Sequence, residues 1–396
     1  MSDTEQLIER SKRFLMGNYA RQPLVMARGE GWNLWDASGK RYIDLFAGFG
    51  GAILGHCHPA LVAAATEQAQ KLWHVGNTFY TEPQMEFAER LNKTAFEGLA
   101  FFCHSGAEAN EAAVKLARLR GGESSPKRWK IISLNKSFHG RTLAMITATG
   151  NAAVKAGFEP LVPGFVQVEG GDFDALAAVV DDETAGIIVE PIQGEGGINQ
   201  YPSDYLPKLR KLCDERGLTL IFDEVWTGCG RTGRWFCHQY DNVQPDIMTL
   251  GKAVGGGLPV GVMFAWPDVA KLFVPGKHGS TLGGNPICMN VSKTLFDVIE
   301  RENLLEHASK LGEQAMARLR NEPSIKSKVA DVRGRGLFIG IELKDEPQKV
   351  VERALDRGIV INLTAKKVIR LAPPINISQD QWERGLGLLI ETIAES

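Results

Sequence analysis

Leu218-Thr219-Leu220-Ile221-Phe222-Asp223-Glu224 and Asp246-Ile247-Met248-Thr249-Leu250-Gly251-Lys252-Ala253-Val254-Gly255-Gly256-Gly257 are the stretches that decide how this chain folds. A short, nearly unbroken apolar run reads as a strand buried on both faces, the habit of a parallel sheet covered by helices. The first run ends in an acid, the second in a lysine set among glycines. Runs of similar texture predict further strands at 131–134, 143–148, 186–190 and 260–265. Helical spacing predicts helices between them, notably 106–120 with Ser105 as its cap, and 204–216. This alternation predicts an α/β fold with an open, mostly parallel central sheet flanked by helices.

The texture changes near residue 290. A long helix from 293 to 301 and beyond is followed by short strands at 337–343, 359–362 and 368–371 and a closing amphipathic helix from Gln379. The expected division is an N-terminal segment, 1–60, packing on both units; a large α/β domain, 61–290; and a small C-terminal α+β domain, 291–396.

Bulk properties exclude several classes. At 396 residues and 44% hydrophobic the chain buries a large core, and a net charge of −2 offers no attraction to nucleic acid or an anionic membrane. No apolar stretch approaches the roughly 20 residues of a membrane span. Six scattered cysteines and a polar, acidic start lead us to expect a cytoplasmic enzyme with reduced thiols.

In such sheets ligands bind beyond the carboxyl ends of the strands. Lys252 and Asp223 would there open into one crevice. An amine and an acid so placed suit pyridoxal phosphate, which takes a lysine as covalent anchor and an acid opposite its ring nitrogen. Cys103-His104-Ser105-Gly106-Ala107-Glu108 offers bare backbone N–H groups at a helix start, read either as an anion site or as an ordinary cap. Ser280-Thr281-Leu282-Gly283-Gly284-Asn285-Pro286 is a second hydroxyl-bearing, glycine-rich loop. Phe138 is suited to cover a flat cofactor or simply to pack. Arg141 is suited to grip a carboxylate or to form a surface ion pair. Glu195 lies among glycines, and Arg370 is a charge inside an apolar strand; the two read as a buried ion pair or a carboxylate receptor.

Two motifs mislead. Gly228-Cys229-Gly230-Arg231-Thr232-Gly233 matches a dinucleotide fingerprint, but no amphipathic helix follows it. His56-Cys57-His58 has no second ligand cluster, so no metal site is expected.

With these residues in view, the chain resembles the class III, fold-type I pyridoxal-phosphate aminotransferases, and most closely their acetylornithine branch. The likeness covers nearly the whole chain. It rests on Leu54-Gly55-His56-Cys57-His58-Pro59, Ser105-Gly106-Ala107-Glu108-Ala109-Asn110, Ser137-Phe138-His139-Gly140-Arg141-Thr142, Glu190-Pro191-Ile192-Gln193-Gly194-Glu195-Gly196-Gly197, His278-Gly279-Ser280-Thr281-Leu282-Gly283-Gly284-Asn285-Pro286 and Arg333-Gly334-Arg335-Gly336-Leu337. The resemblance implies Lys252 as anchor and proton carrier, with Asp223 at the ring nitrogen. It implies cofactor contacts from Ser105, Gly106, Ala107, Phe138, Glu224, Val225 and Trp226, with Thr281 supplied by the other subunit of a homodimer. Tyr19, Arg141, Glu195, Ser280 and Arg370 are implied to meet substrate. The implied reaction carries the ω-amine of N-acetylornithine to 2-oxoglutarate, as in arginine biosynthesis. Ornithine, succinyl-diaminopimelate and 4-aminobutyrate are alternative donors. A pyridoxal aminomutase or racemase and a non-catalytic binding protein are the readings from other classes. The chain departs from the branch at Trp226, where glutamine is usual, at His104, and at Gly76-Asn77.

Overall fold

The structure, a computed structural model, describes residues 3–345 and 347–396. Fifteen strands are distributed over three sheets among the described residues. In chain order they are β1 (Met26–Glu30), β2 (Asn33–Asp36), β3 (Arg41–Asp44), β4 (Leu99–Cys103), β5 (Lys130–Leu134), β6 (Phe165–Val168), β7 (Thr184–Val189) and β8 (Thr219–Asp223). They continue with β9 (Ile247–Leu250), β10 (Gly261–Ala265), β11 (Val329–Arg335), β12 (Phe338–Leu343), β13 (Ile359–Val360), β14 (Asn362–Thr364) and β15 (Val368–Leu371).

The central sheet has seven strands in the order β4-β10-β9-β8-β7-β5-β6. Strands β6, β5, β7, β8 and β9 are parallel, and β10 runs antiparallel to both β9 and β4. Every residue of β7, β8 and β9 is buried. That explains the continuous apolar runs. Ile221 packs on the side of the helix Gly106–Gly121, while Leu220 and Phe222 pack on the side of the helix Tyr205–Arg216. A sheet covered on both faces needs apolar residues at successive positions. On the helix Gly106–Gly121 the inward residues include Ala109, Ala112, Ala113 and Ala117, small enough to let it lie close on the strands.

The other sheets are β11-β12-β15-β14 and β1-β2-β3-β13. The second joins the two ends of the chain, because β13 pairs in parallel with β3. One apolar cluster runs from Trp32 through Phe87 and Phe296 to Ile393.

Some expectations need correction. Residues 143–148, expected as a strand, form the helix Leu143–Ala148. The places beside β5 are taken by β7 and by β6, an edge strand too short and too partly buried to stand out in the sequence. A six-residue apolar run carries no periodicity that separates the two states. The helix expected from 293 begins earlier, at Pro286, and stops at Arg301. Asn303, in the left-handed region at φ 51°, turns the chain into a second helix, Leu304–Asn321. The strand expected at 359–362 is divided between two sheets as β13 and β14.

Candidate active site

The carboxyl ends of β4, β5, β7, β8 and β9 surround a cavity of about 500 Å³. Ser105, Gly106, Ala107, Phe138, Arg141, Asp223, Val225, Trp226 and Lys252 all line it. His104, Asn110, His139 and Glu190 join them.

Lys252 follows β9 in the left-handed region, at φ 46°. For a residue with a side chain this conformation costs about 1–2 kcal/mol and persists only where the surroundings impose it. Its Nζ lies 4.3 Å from the centre of the Trp226 ring. Burial pushes its amine down to about 8; Glu195 and Asp223 oppose the shift, and Arg370 adds to it. Neutral amine is the nucleophile, and near pH 7 about a tenth of such a group is neutral, far more than of an ordinary lysine. Uptake of pyridoxal phosphate by cofactor-free protein should therefore accelerate with pH through a midpoint near 8, followed by absorbance. A midpoint near 10 would show that the amine is not shifted.

Asp223 ends β8, and its side chain is almost fully buried. Oδ2 accepts from Asn110 Nδ2 at 2.8 Å and stands 2.8 Å from His139 Nδ1, while Oδ1 accepts from the Val225 N–H at 3.1 Å. Asn110 is itself fixed, donating to the His139 carbonyl at 2.8 Å and accepting from Thr249 Oγ1 at 2.6 Å. The carboxylate is thus held rigidly at the cavity wall. Glu190, at the end of β7, accepts from the Phe138 and Gly194 N–H groups at 2.8 and 2.9 Å. Burial pushes its carboxyl up to about 7, with His139 opposing and Asp223 reinforcing.

Ser105 caps its helix through Glu108 N–H, as expected. Gly106 must be glycine: a Cβ there would lie 2.6 Å from Val225 Cγ2. The first N–H groups of a helix lack intrahelical acceptors, so the Gly106–Ala107 turn presents donors to an anion. Arg141 is exposed and forms no ion pair with the described residues; its guanidinium lies 5.4 Å from the centre of the Phe138 ring.

Arg370, on β15, is fully buried, and its Nη1 meets Glu195 Oε1 at 2.8 Å. It also donates to Gly194 O at 3.1 Å and Asn362 Oδ1 at 2.8 Å, so it stays oriented without Glu195. Burial raises the Glu195 carboxyl, but Arg370, Lys252 and Trp226 outweigh it and hold the group below its ordinary value. Of the two readings left open by the sequence, the ion pair is present.

Six expected site residues are not on the cavity lining: Glu195 and Arg370, which touch the lining residue Trp226, and Glu224, Tyr19, Ser280 and Thr281. Glu224 does not line the cavity: its carboxylate accepts from Cys237 N at 3.0 Å, His238 N at 2.8 Å and the Thr227 hydroxyl, fixing the turn after β8. Tyr19 is exposed in a hollow lined by residues between 7 and 25, which shares no lining residue with this cavity. Ser280 and Thr281 do not line the cavity; Asn77 Nδ2 holds their loop by donating to Ser280 O and Gly283 O at 3.0 and 2.8 Å. His104 pairs with Glu108 at 3.0 Å. In the misleading motifs, Arg231 is buried against Leu337 O and Pro373 O, and His56 Nε2 meets Asp44 Oδ2 at 2.8 Å. His139 and Asn110 were missed, although both lie inside quoted motifs. Only the fold brings them to Asp223.

A lysine amine, a rigidly held acid, an aromatic ring and a glycine-opened helix start lining one cavity are what an enzyme of the pyridoxal-phosphate class requires. The residues present fit that cofactor in charge, shape and room. The family Aminotransferase class-III matches residues 16–393. An acetylornithine aminotransferase of Methanothermobacter thermautotrophicus is 44% identical over 99% of this chain and 100% of its own length. Ornithine aminotransferase 1 of Staphylococcus aureus is 42% identical over 95% of this chain and 96% of its own. The solved ornithine aminotransferase of Toxoplasma gondii superposes with a TM-score of 0.95 at 32% identity, covering 99% of this chain and 95% of that one. The chain belongs to the class-III aminotransferase family. It is a pyridoxal-phosphate-dependent aminotransferase acting on small amino and keto substrates.

Proposed function

We propose that this aminotransferase carries the ω-amino group of N-acetylornithine, or of a close relative such as ornithine, to 2-oxoglutarate, giving the semialdehyde and glutamate. The observation that carries this reading is the Glu195–Arg370 pair at 2.8 Å. Glutamate and 2-oxoglutarate react at a carbon bearing a carboxylate. An ω-amine donor reacts at a carbon without one and carries its carboxylate at the far end. Arg141, exposed on the cavity lining and without an ion-pair partner among the described residues, would hold the distal carboxylate of either substrate. Arg370 takes the carboxylate beside the reacting carbon, and Glu195 neutralises it when an ω-amine occupies the site. Without Glu195, an unpaired buried arginine would cost several kcal/mol.

When bound, pyridoxal phosphate supplies a protonated ring that withdraws the electron pair left on the substrate carbon as its proton departs. Asp223 favours the protonated ring. Lys252 Nζ would anchor the cofactor covalently and, as a free amine, would take up and return the proton of the substrate carbon. Phe138 would cover the ring, and the backbone N–H groups of Gly106 and Ala107 would receive the phosphate. Thr281 and Ser280 act from the partner subunit of a homodimer, a role supported by their place outside their own cavity. The divisions near residues 60 and 290 belong to the same reading, as does a cytoplasmic location. Among the described residues no helix is long and apolar enough to cross a membrane.

Glutamate formation from 2-oxoglutarate with N-acetylornithine, ornithine, succinyl-diaminopimelate and 4-aminobutyrate in turn tests the reading. A best rate with 4-aminobutyrate, or with none of them, overturns it. Glu195→Ala should shift kcat/KM from ω-amines toward glutamate by about 10²- to 10³-fold, the scale of an uncompensated buried charge. An unchanged ratio would rule out the switch.

A further inference from the structure

Trp226 follows β8 and touches every charged group of the proposed switch. Its Nε1–H donates to Glu195 Oε1 at 3.3 Å, the same oxygen that Arg370 holds at 2.8 Å. The Arg370 guanidinium and Lys252 Nζ each lie 4.3 Å from the centre of its ring. The indole is clamped: Phe338 stacks on it with ring centres 5.2 Å apart and 18° between planes. The backbone makes room for it as well. A Cβ at Gly194 would lie 2.4 Å from Trp226 Cδ1, and one at Gly50 would lie 2.8 Å from Cζ3. A side chain so confined cannot follow Glu195 when Glu195 moves.

The consequence is asymmetric. Arg370 is buried and keeps its Gly194, Asn362 and Trp226 contacts whatever Glu195 does. Glu195, with a side chain 30% accessible against 0% for Arg370, is the less enclosed partner and the one with space to swing away. A carboxylate arriving at Arg370 must displace Glu195 and so break the Trp226 hydrogen bond together with the ion pair. An ω-amine donor leaves both in place.

We infer that Trp226 is a positioning and specificity-determining residue: its indole N–H latches Glu195 onto Arg370 and selectively opposes substrates that bring a carboxylate to the reacting carbon. The inference rests on the reading of Glu195 and Arg370 proposed above. A ligand that needs the open pair binds more weakly by the fraction of molecules in which the pair is open. Trp226→Phe removes the donor and keeps a ring for Phe338 and Arg370.

The test is calorimetric titration of the holoenzyme with glutarate, a non-reacting dicarboxylate. Trp226→Phe should tighten glutarate binding about tenfold, or about 1.4 kcal/mol, the low end for a hydrogen bond to a charged group. The discriminating readout is the ratio: KM for the ω-amine donor should shift by much less than glutarate affinity, because the donor leaves the pair closed. In a Glu195→Ala background the same substitution should have no effect, because the latch has nothing to hold. If Glu195→Ala alters glutarate affinity and Trp226→Phe does not, the latch is wrong while the switch stands. If the Trp226→Phe effect persists undiminished without Glu195, the latch is equally wrong. If neither substitution moves glutarate affinity, the switch itself fails.

Discussion

Lys252→Ala should lower turnover by at least about 10⁴-fold, since proton transfer by a positioned group alone contributes 10²–10⁴ and the covalent anchor is lost as well. The fold should survive. Alanine meets the same left-handed backbone at φ 46° that lysine already tolerates, so the substitution adds no strain. It also removes an amine that burial pushes down to about 8. The discriminating measurement is rescue. The cavity of about 500 Å³ has room for a small primary amine where the side chain was. Added methylamine should restore part of the activity of Lys252→Ala in proportion to its neutral fraction, and so increasingly with pH. Full activity without added amine would refute the assignment of Lys252. Rescue by a small carboxylate instead would show that the group is not acting as an amine.

Much of this site was legible because it hangs on buried parallel strands. Such strands announce themselves as unbroken apolar runs, and the residue after each run falls at the carboxyl edge by topology alone. Asp223, Lys252 and Ser105 are legible in that way. The helix Leu143–Ala148 was misread because apolar continuity over six residues serves a buried helix as well as a strand. Its true state was decided by β6 occupying the sheet edge, a pairing between residues that the local sequence does not encode. The His139–Asp223–Asn110 cluster was hidden for a related reason. Asn110 sits on a helix 113 positions before Asp223, and nothing in its own surroundings marks its amide as a partner for a distant acid. Trp226 was visible only as an anomaly. Its hydrogen bond to Glu195 depends on how the loop after β7 folds back over the turn after β8.

Asp223→Asn should lower kcat by about 10³-fold, with cofactor affinity changing less than about tenfold. A carboxylate about 4 Å from a protonated ring nitrogen is worth about 4 kcal/mol at an effective dielectric near 20, and each 1.4 kcal/mol is a factor of about ten. That favourable energy acts on the protonation of the ring, which sets its capacity to accept electrons. Retention depends chiefly on the lysine anchor and the phosphate donors. The structure supplies the means to hold Asp223 in place: two hydrogen bonds at 2.8 and 3.1 Å from Asn110 and the Val225 backbone, and His139 at 2.8 Å. Asparagine is of equal size, so packing is undisturbed. Its amide must turn its oxygen toward Asn110 Nδ2, leaving its own N–H₂ toward the partly buried Val225 N–H, at a cost of about 1–3 kcal/mol. That is too small to account for a thousandfold effect. Measuring kcat beside the cofactor dissociation constant therefore separates charge from scaffolding. If affinity collapsed while the kcat of loaded enzyme held within about tenfold, Asp223 would be a structural post, and the electron-withdrawing role would have to move to another group.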